Sequence, residues 1–438
     1  MKSFFITETQ SRHRGSARFT FLCEPLCDLR ASVVKSCLLL LLSSFAVAAK
    51  PIAISTNFEG GALGKIEPVN TSHFRCGVKG ESDQDGRNRQ ANWYYFRVDG
   101  ARGKSLTIDL VDLPGEYNYR PNRGAVTGDT LPWMSEDNRH WKQIETAEYQ
   151  ADTPLLRLRL TPRTNQLWIA HVPLYTNQNL QRLLREFKTH PALQPQTIGK
   201  TVQGRELLLL TITDERVPPA EKKVIWLMFR QHSWEAGSSW AGEGAIRFLL
   251  SSAPTAVIMR QTAIFKIFPL CDPDGVARGG VRFNANGYDL NRNWDAVDET
   301  KMPEIAAQRK ALLAWVDSGQ RVDLFLSLHN TETSEYLDGP PDTTGQYRTL
   351  TQRLFKLLSV NKTFAPTRPP QFAEATTTLG KPGRMNVIQG LYKDRQLPAF
   401  LIEQMITKHP KLGHQPTPTD RQQFGADLVQ AMWQAVGR

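Results

Sequence analysis

The chain has 438 residues, of which 40% are hydrophobic and 22% charged, a composition that supports packed cores and excludes disordered, collagen-like and multi-span membrane proteins. Single cores stop growing at roughly 250 to 300 residues, so two domains are expected. The net charge is +11, with three of those units in the first 49 residues. No run of five like charges and no nucleic-acid motif accompanies it, so the charge is read as solvated surface with a weak bias towards acidic ligands and no nucleic-acid partner.

The chain opens on residues 1–49, a region expected to be absent from the mature protein. Lys35, the apolar run to Leu42 and the small residues ending at Ala48 and Ala49 have the order of a secretory signal. Ser36 to Ala49 is too short for a bilayer-spanning helix, which needs about 20 residues, so stable membrane insertion is not expected. The 34 residues before Lys35 exceed an ordinary leader and suggest a translation start near Val33 or Val34. The expected location is secreted or periplasmic, with the cytoplasm as the alternative if this segment is not a signal. Three of five cysteines fall in this region, leaving Cys76 and Cys271, which could form one disulfide but no metal site.

Residues 50–175 alternate with period two between frequent turns, as in Asn92 to Val98, Ser105 to Val111, Leu156 to Thr161 and Gln166 to Val172. That pattern predicts an antiparallel β-sandwich. Residues 176–438 change character. Helical spacing over Asn177 to Phe187 leads into apolar strands at Glu206 to Ile212, Lys223 to Phe229, Ala263 to Leu270, Val322 to Leu328 and Ala399 to Ile402. Helices are predicted at Ala241 to Leu250, Pro303 to Val316, Tyr347 to Leu358 and Arg421 to Val436. The fold class is α/β, with a mixed, largely parallel sheet between helices behind the sandwich.

Chemistry-bearing residues recur where these strands end. The strand to Phe229 runs into His232-Ser233-Trp234-Glu235; Val322 to Leu328 ends at His329; Ala399 to Ile402 ends at Glu403. Ligands bind at the carboxyl ends of strands in open α/β sheets. Alone, His-x-x-Glu is a weak signal, more often a surface histidine beside an unrelated glutamate. Two histidines and a glutamate together form a set that holds catalytic zinc and leaves a fourth position for water. Between these lie Asp272 to Val276, Gly279 to Asn284 and Asp289 to Trp294, a loop region whose Arg282 and Arg292 suit carboxylate capture and carbonyl polarisation.

At these residues the chain resembles the zinc carboxypeptidases, and among them the cytosolic carboxypeptidase subfamily. His232 to Glu235, Asp272 to Val276, Gly287 to Trp294, His329 and Glu403 stand in that family's order, and Ser55 to Leu63, Trp93 to Val98 and Leu208 to Thr213 resemble the front half of the subfamily, with its N-terminal sandwich. The resemblance implies one zinc held by His232, Glu235 and His329, with Glu403 as general base. It further implies that Asn291 and Arg292 hold the substrate's terminal carboxylate and that Arg282 polarises the scissile carbonyl. The implied activity is removal of C-terminal residues from peptides or proteins, with acidic residues favoured. One departure concerns a tyrosine that such enzymes place some twenty residues before the glutamate. Here that region reads Gly380 to Asn386, with Tyr392 nearest and Tyr336 a substitute elsewhere. Arg384 in this stretch is a candidate for reading an acidic side chain, alongside the plain reading of a surface arginine. Two other functions remain open: a zinc amidase or deacylase on cell-wall peptides or N-acyl amino acids, and a binding protein on a silent peptidase scaffold. The sequence gives no oligomeric state.

Overall fold

The structure is a computed structural model that describes residues 51–342, 344–374 and 383–437. The expected leader therefore lies outside the described residues. None of the described helices is long and apolar enough to cross a membrane.

The first part comprises β1 (Ala53–Ser55), β2 (Ile66–Asn70), β3 (His73–Gly77), β4 (Tyr95–Asp99), β5 (Leu106–Val111), β6 (Gly115–Tyr117), β7 (Arg120–Asn122), β8 (Trp133–Ser135), β9 (Lys142–Gln143), β10 (Glu148–Gln150), β11 (Leu155–Leu160) and β12 (Gln166–Ala170). They pair in the orders β1-β4-β12-β8-β9 and β10-β11-β5-β3-β2, with β6 and β7 as a separate hairpin. The two sheets enclose the core predicted by the alternation: Phe96, Val98, Ile108, Leu110, Leu156, Leu158, Leu167 and Ile169 are fully buried. The sandwich departs from the all-antiparallel expectation at one pair, because β3 and β5 run parallel. Cys76 lies in this core and Cys271 behind the second sheet; both are buried and unpaired, so the disulfide left open by sequence is absent.

The changeover falls after β12. The second part contains α1 (Asn177–Glu186), β13 (Leu193–Lys200), β14 (Glu206–Ile212), β15 (Lys223–Phe229), α2 (Ala236–Leu249), α3 (Pro254–Thr262), β16 (Ala263–Phe268), α4 (Pro273–Arg278), α5 (Pro303–Asp317), β17 (Leu324–Thr331), β18 (Tyr336–Gly339), α6 (Arg348–Ser359), β19 (Gln371–Phe372), α7 (Val387–Arg395), β20 (Ala399–Met405) and α8 (Pro418–Val436). One sheet runs β13-β14-β16-β15-β17-β20-β18-β19. Its centre, β16-β15-β17-β20, is parallel and its flanks mix both directions. Both faces are covered, which is why these strands read as continuous apolar runs instead of alternating ones.

Three neighbours in this sheet matter for the site. β15, β17 and β20 lie side by side with carboxyl ends on one edge. His329 and Glu403 are not at strand termini as expected; the ladder continues past them, pairing His329 with Glu403, Asn330 with Gln404 and Thr331 with Met405. The apolar run stops there in sequence, but backbone pairing is indifferent to side-chain polarity. Helix α2 starts at Ala236, earlier than expected, with Glu235 as its N-cap.

Helix α2 is held by α8 at backbone contact. A Cβ on Gly425 would lie 1.8 Å from Ala241 O, and one on Gly244 would lie 2.0 Å from Gln422 O. Glycine is required here for close approach. Gly425→Ala is therefore expected to cost about 1–3 kcal/mol by forcing the helices apart, read as a lower melting temperature; a wild-type melting temperature would show that α8 shifts freely.

Candidate active site

The loop from β15 into α2 is shaped by a buried arginine. Arg230 adopts φ +62° and is 1% exposed. Its Nε and Nη2 donate to Ser233 O at 2.9 and 2.6 Å, and its Nη1 donates to Ser239 Oγ at 3.1 Å. These bonds fold the loop back so that His232 and Glu235 face β17, where His329 waits.

His232 Nδ1 lies 2.6 Å from Glu235 Oε1 and His329 Nδ1 lies 3.0 Å from Glu235 Oε2. One ligand atom from each of the three residues lies within 4.8 Å of the others, and all three side chains are buried. The outer nitrogens face oxygens. His232 Nε2 is 3.1 Å from Asp289 Oδ1, and His329 Nε2 is 2.9 Å from Ser327 Oγ and 3.0 Å from Gln231 Oε1. Such outer partners keep the proton on Nε2 and turn the Nδ1 lone pairs inward. Two inward imidazole nitrogens and a carboxylate are the donors zinc takes at a catalytic site, so this set fits zinc.

Burial opposes ionisation of Glu235, but the charges of His232 and His329 outweigh it and hold the carboxyl low. Asp289 is likewise held well below its ordinary value, Arg282 and His232 overcoming its burial. Burial, and after it the charge of Glu235, raises Glu403 well above the ordinary value. Glu403 Oε2 is sealed from solvent without a partner among the described residues.

Asp289 joins the histidines to the arginine. Its Oδ2 accepts from Arg282 Nε at 2.7 Å while its Oδ1 faces His232. The backbone of Arg282 is in turn held from the sandwich: Glu81 Oε2 accepts from the backbone nitrogens of Val281, Arg282 and Phe283 at 2.8, 2.7 and 3.0 Å. Glu81 Oε1 also pairs with Arg278. Trp234, inside the His-x-x-Glu stretch, stacks on the buried sandwich residue His171 with ring centroids 6.1 Å apart.

Two adjoining cavities open here. One, of about 280 Å³, is lined by Glu235, Glu403, Arg282, Glu332 and Tyr336 together with sandwich residues such as Asn92 and Tyr117. The other, of about 200 Å³, brings Arg282, Arg292 and Arg384 together with Tyr117 and Asn118. Arg384 Nη2 donates to Asn118 Oδ1 at 3.3 Å. Asn291 lines neither cavity. It is 4% exposed, its Oδ1 accepts from Val387 N at 3.0 Å and its Nδ2 lies 3.4 Å from His329 Nε2. Tyr336 stands opposite Glu403 in the β18–β20 register, with the Arg368 guanidinium 3.8 Å from its ring centre. Tyr392 lies on α7 and lines neither cavity.

Asp289, Gln231, Ser327, Glu81 and Tyr117 were not singled out as site residues by sequence reasoning. Asp289 sits inside the Gly287 to Trp294 stretch that carries the resemblance, which is a usable signal. Glu81 and Tyr117 act from about two hundred residues away, and no local pattern marks them.

This arrangement is that of a zinc-dependent peptide hydrolase. The zinc carboxypeptidase family matches residues 180–380, and the cytosolic carboxypeptidase N-terminal domain matches residues 54–172. The chain thus carries a zinc carboxypeptidase domain, whose family uses one catalytic zinc, behind a cytosolic carboxypeptidase N-terminal domain. An uncharacterised protein of Zymomonas mobilis is 28% identical over 297 residues, covering 66% of this chain and 72% of that one. Human cytosolic carboxypeptidase 2 is 26% identical over 330 residues, covering 70% of this chain but 36% of its own length. The match to the Xenopus tropicalis protein of that name spans 28% of its length, so the chain spans about a third of these two cytosolic carboxypeptidases. Among solved structures, a metallo-carboxypeptidase from Burkholderia cenocepacia superposes with a TM-score of 0.76 at 22% identity, covering 88% of this chain and 99% of its own. One from Pseudomonas aeruginosa, in complex with (2-guanidinoethylmercapto)succinic acid, gives 0.74 at 22% identity, covering 88% and 100%. These likenesses show the fold.

Two outcomes test the site. His232→Ala is expected to drop zinc content well below one per chain, measured by elemental analysis; full retention would remove His232 from the ligand set. Glu81→Ala leaves three backbone donors without their acceptor and, at about 1–3 kcal/mol for each, is expected to cost roughly 3 kcal/mol or more of stability and to lower turnover, with zinc content unchanged. Wild-type melting and turnover would show that the Arg282 loop holds itself.

Proposed function

We propose that the protein is a zinc metallocarboxypeptidase that removes the last residue of a peptide or protein, favouring acidic residues. The observation carrying this reading is the convergence of His232, Glu235 and His329 beside Glu403 at one sheet edge, with three arginines in the adjoining cavity. When bound by His232, Glu235 and His329, zinc supplies a Lewis acid and lowers the pKa of water.

The chain's own residues supply the rest. The Glu403 carboxylate takes the proton of the attacking water and hands it to the leaving amine. Its Oε2 has no partner among the described residues and burial raises its pKa, which suits a group that takes up a proton. Arg282, fixed through Nε by Asp289 and through its backbone by Glu81, stabilises the charge that develops on the carbonyl oxygen. Arg292 pairs with the terminal carboxylate, while Asn291 Oδ1 accepts from Val387 N and so ties the Arg292 loop to the start of α7. Arg384 meets an acidic side chain on the same cavity.

The decisive experiment is a peptide panel differing only at the last residue, each with a free or amidated C-terminus. Amidation is expected to abolish most activity in the wild type and to cost Arg292→Ala little more, since a charge-assisted pair discriminates strongly against a neutral group. Equal cleavage of both forms would overturn the carboxypeptidase reading in favour of an amidase or endopeptidase. Arg384→Ala is expected to narrow the preference for terminal glutamate over leucine by about tenfold; an unchanged ratio returns Arg384 to the surface. Glu403→Gln is expected to keep zinc and substrate while turnover falls by roughly 10² or more.

The place of action turns on residues 35–49, which read as an export leader, whereas the relatives named above are called cytosolic. Intact-mass measurement from the native host separates the two: a mature chain starting near Ala49 or Lys50 means export, and retention of Leu38 to Leu42 in soluble protein means the cytoplasm.

A further inference from the structure

The cavity that gathers the three arginines is closed on one side by the sandwich. Its wall is the hairpin β6–β7, which turns through Asn118 at φ +49° and Tyr119 at φ +62°. Two left-handed residues give the twist that suits a two-residue hairpin loop, but glycine or asparagine normally supplies it. For Tyr119 the conformation is strained, and strain of this kind persists only where surroundings impose it. Here they do. Asn88 Oδ1 accepts from Tyr119 N at 2.7 Å, Asn88 N donates to Glu116 Oε1 at 2.8 Å, and Arg87 both pairs with Glu116 at 2.9 Å and lies 5.5 Å from the Tyr119 ring centre.

The consequence of the turn falls on Tyr117. Its hydroxyl is 3.4 Å from Arg292 Nη2, and the Arg282 guanidinium lies 5.5 Å from its ring centre, within the range of cation–π attraction. With Gln90 and Arg282, Tyr117 lines both cavities, so it stands on the boundary between Glu403 and the arginines. Besides its contact with Tyr117, Arg292 donates through Nη1 to Asn291 O at 2.7 Å, and its charge is felt by Asp289. A long guanidinium anchored at one nitrogen can swing; a second contact removes that freedom.

We propose that Tyr117 is a positioning residue supplied by the sandwich, holding Arg292 and Arg282 at the orientation in which one captures the substrate's terminal carboxylate and the other reaches the adjacent carbonyl. This rests on the carboxypeptidase reading above and adds to it the part played by the first domain. It also bears on the tyrosine missing from the stretch before Glu403: a phenol stands beside the carboxylate anchor, but it comes from the opposite wall. Tyr336 stands beside Glu403 instead, under the Arg368 guanidinium.

The test uses the full zinc-loaded chain and blocked dipeptides, benzoyl-glycyl-glutamate and benzoyl-glycyl-leucine. Tyr117→Phe, which deletes only the hydroxyl, is expected to raise KM roughly two- to tenfold with kcat little changed, as the loss of one hydrogen bond to a charged group implies. Tyr117→Ala, which also removes the ring, is expected to raise KM further and to lower kcat through Arg282. In an Arg292→Ala background Tyr117→Phe should change nothing more, because the pair acts as a unit. Melting temperature and zinc content report folding separately and should match wild type in Tyr117→Phe. Active wild-type enzyme with unchanged KM in both tyrosine variants would overturn the positioning role and leave the carboxypeptidase reading standing. Additive effects of Tyr117→Phe and Arg292→Ala would overturn the coupling to Arg292. A wild-type enzyme inactive on all free-carboxylate peptides would overturn both.

Discussion

A single carboxylate oxygen of Glu81 receives three consecutive backbone N–H groups from the loop that carries Arg282. Three N–H groups in a row pointing at one place make a concavity that wants an anion, and leaving them buried and unmet would cost about 1–3 kcal/mol each. Because the anion comes from the sandwich, the two domains share the site. The packing agrees: sandwich residues Trp93, Tyr95, Ala170, Val172 and Leu174 belong to the same apolar cluster as Leu227, Phe229, Leu326 and Ile402 of the central sheet. Gly279, at φ +66°, comes so close to the sandwich that a Cβ there would lie 2.7 Å from Gly60 O and Gly61 O. Arg282 is thus fixed by surfaces that meet only when both domains are folded and docked.

From that loop the electrostatics run in one line. Glu81 fixes the backbone of Arg282, the Arg282 side chain meets Asp289, Asp289 meets His232, and His232 meets Glu235. Each member is buried or nearly so, and a buried charge is tolerated only when its neighbours answer it. A change at any point would leave the next charge uncompensated. Glu403 stands apart from this line: it lies in the cavity lined by Glu235 and Arg282, and its Oε2 has no partner among the described residues.

How much of this was legible in the sequence depends on how local the cause is. Strand β15 has the boundaries that its apolar run predicts, and β14 likewise, because burial on both faces writes itself into consecutive residues. β13 was not foreseen: it is a polar edge strand with Pro195 inside it, tolerated because an edge strand need not offer every N–H. Helices α3 and α7 were missed as well. The first begins at Pro254 with little periodicity, and the second is set by Asn386 and Gln389, whose side chains cap its start reciprocally. In the site, His232, Glu235, His329 and Glu403 were visible because each follows an apolar strand. Asn291 was expected at the substrate but lies behind His329, since a residue's place in a motif does not say which way its side chain turns. Glu81 and Tyr117 were invisible because their partners are distant in sequence and near only in the fold.

The division of labour has a physical consequence for specificity. His329 and Glu403 stand on strands of one sheet packed on both faces, and His232 and Glu235 stand on the loop that leads from β15 into α2. The walls around the terminal residue come from elsewhere: Arg292 from the loop after Asp289, Arg384 from the segment before α7, Tyr117 and Asn118 from a sandwich hairpin. Two hydrogen bonds, Arg292 to Tyr117 and Arg384 to Asn118, join the hairpin to the arginines at 3.4 and 3.3 Å, and the Arg282 guanidinium lies 5.5 Å from the Tyr117 ring centre. These are longer bonds than the ones that tie His232, His329 and Arg282 to Glu235 and Asp289, which are 2.6 to 3.1 Å. Substitutions at Asn118 bear on the Arg384 side of the cavity alone, whereas those at Tyr117 also reach Arg282 and, through Asp289, the histidines.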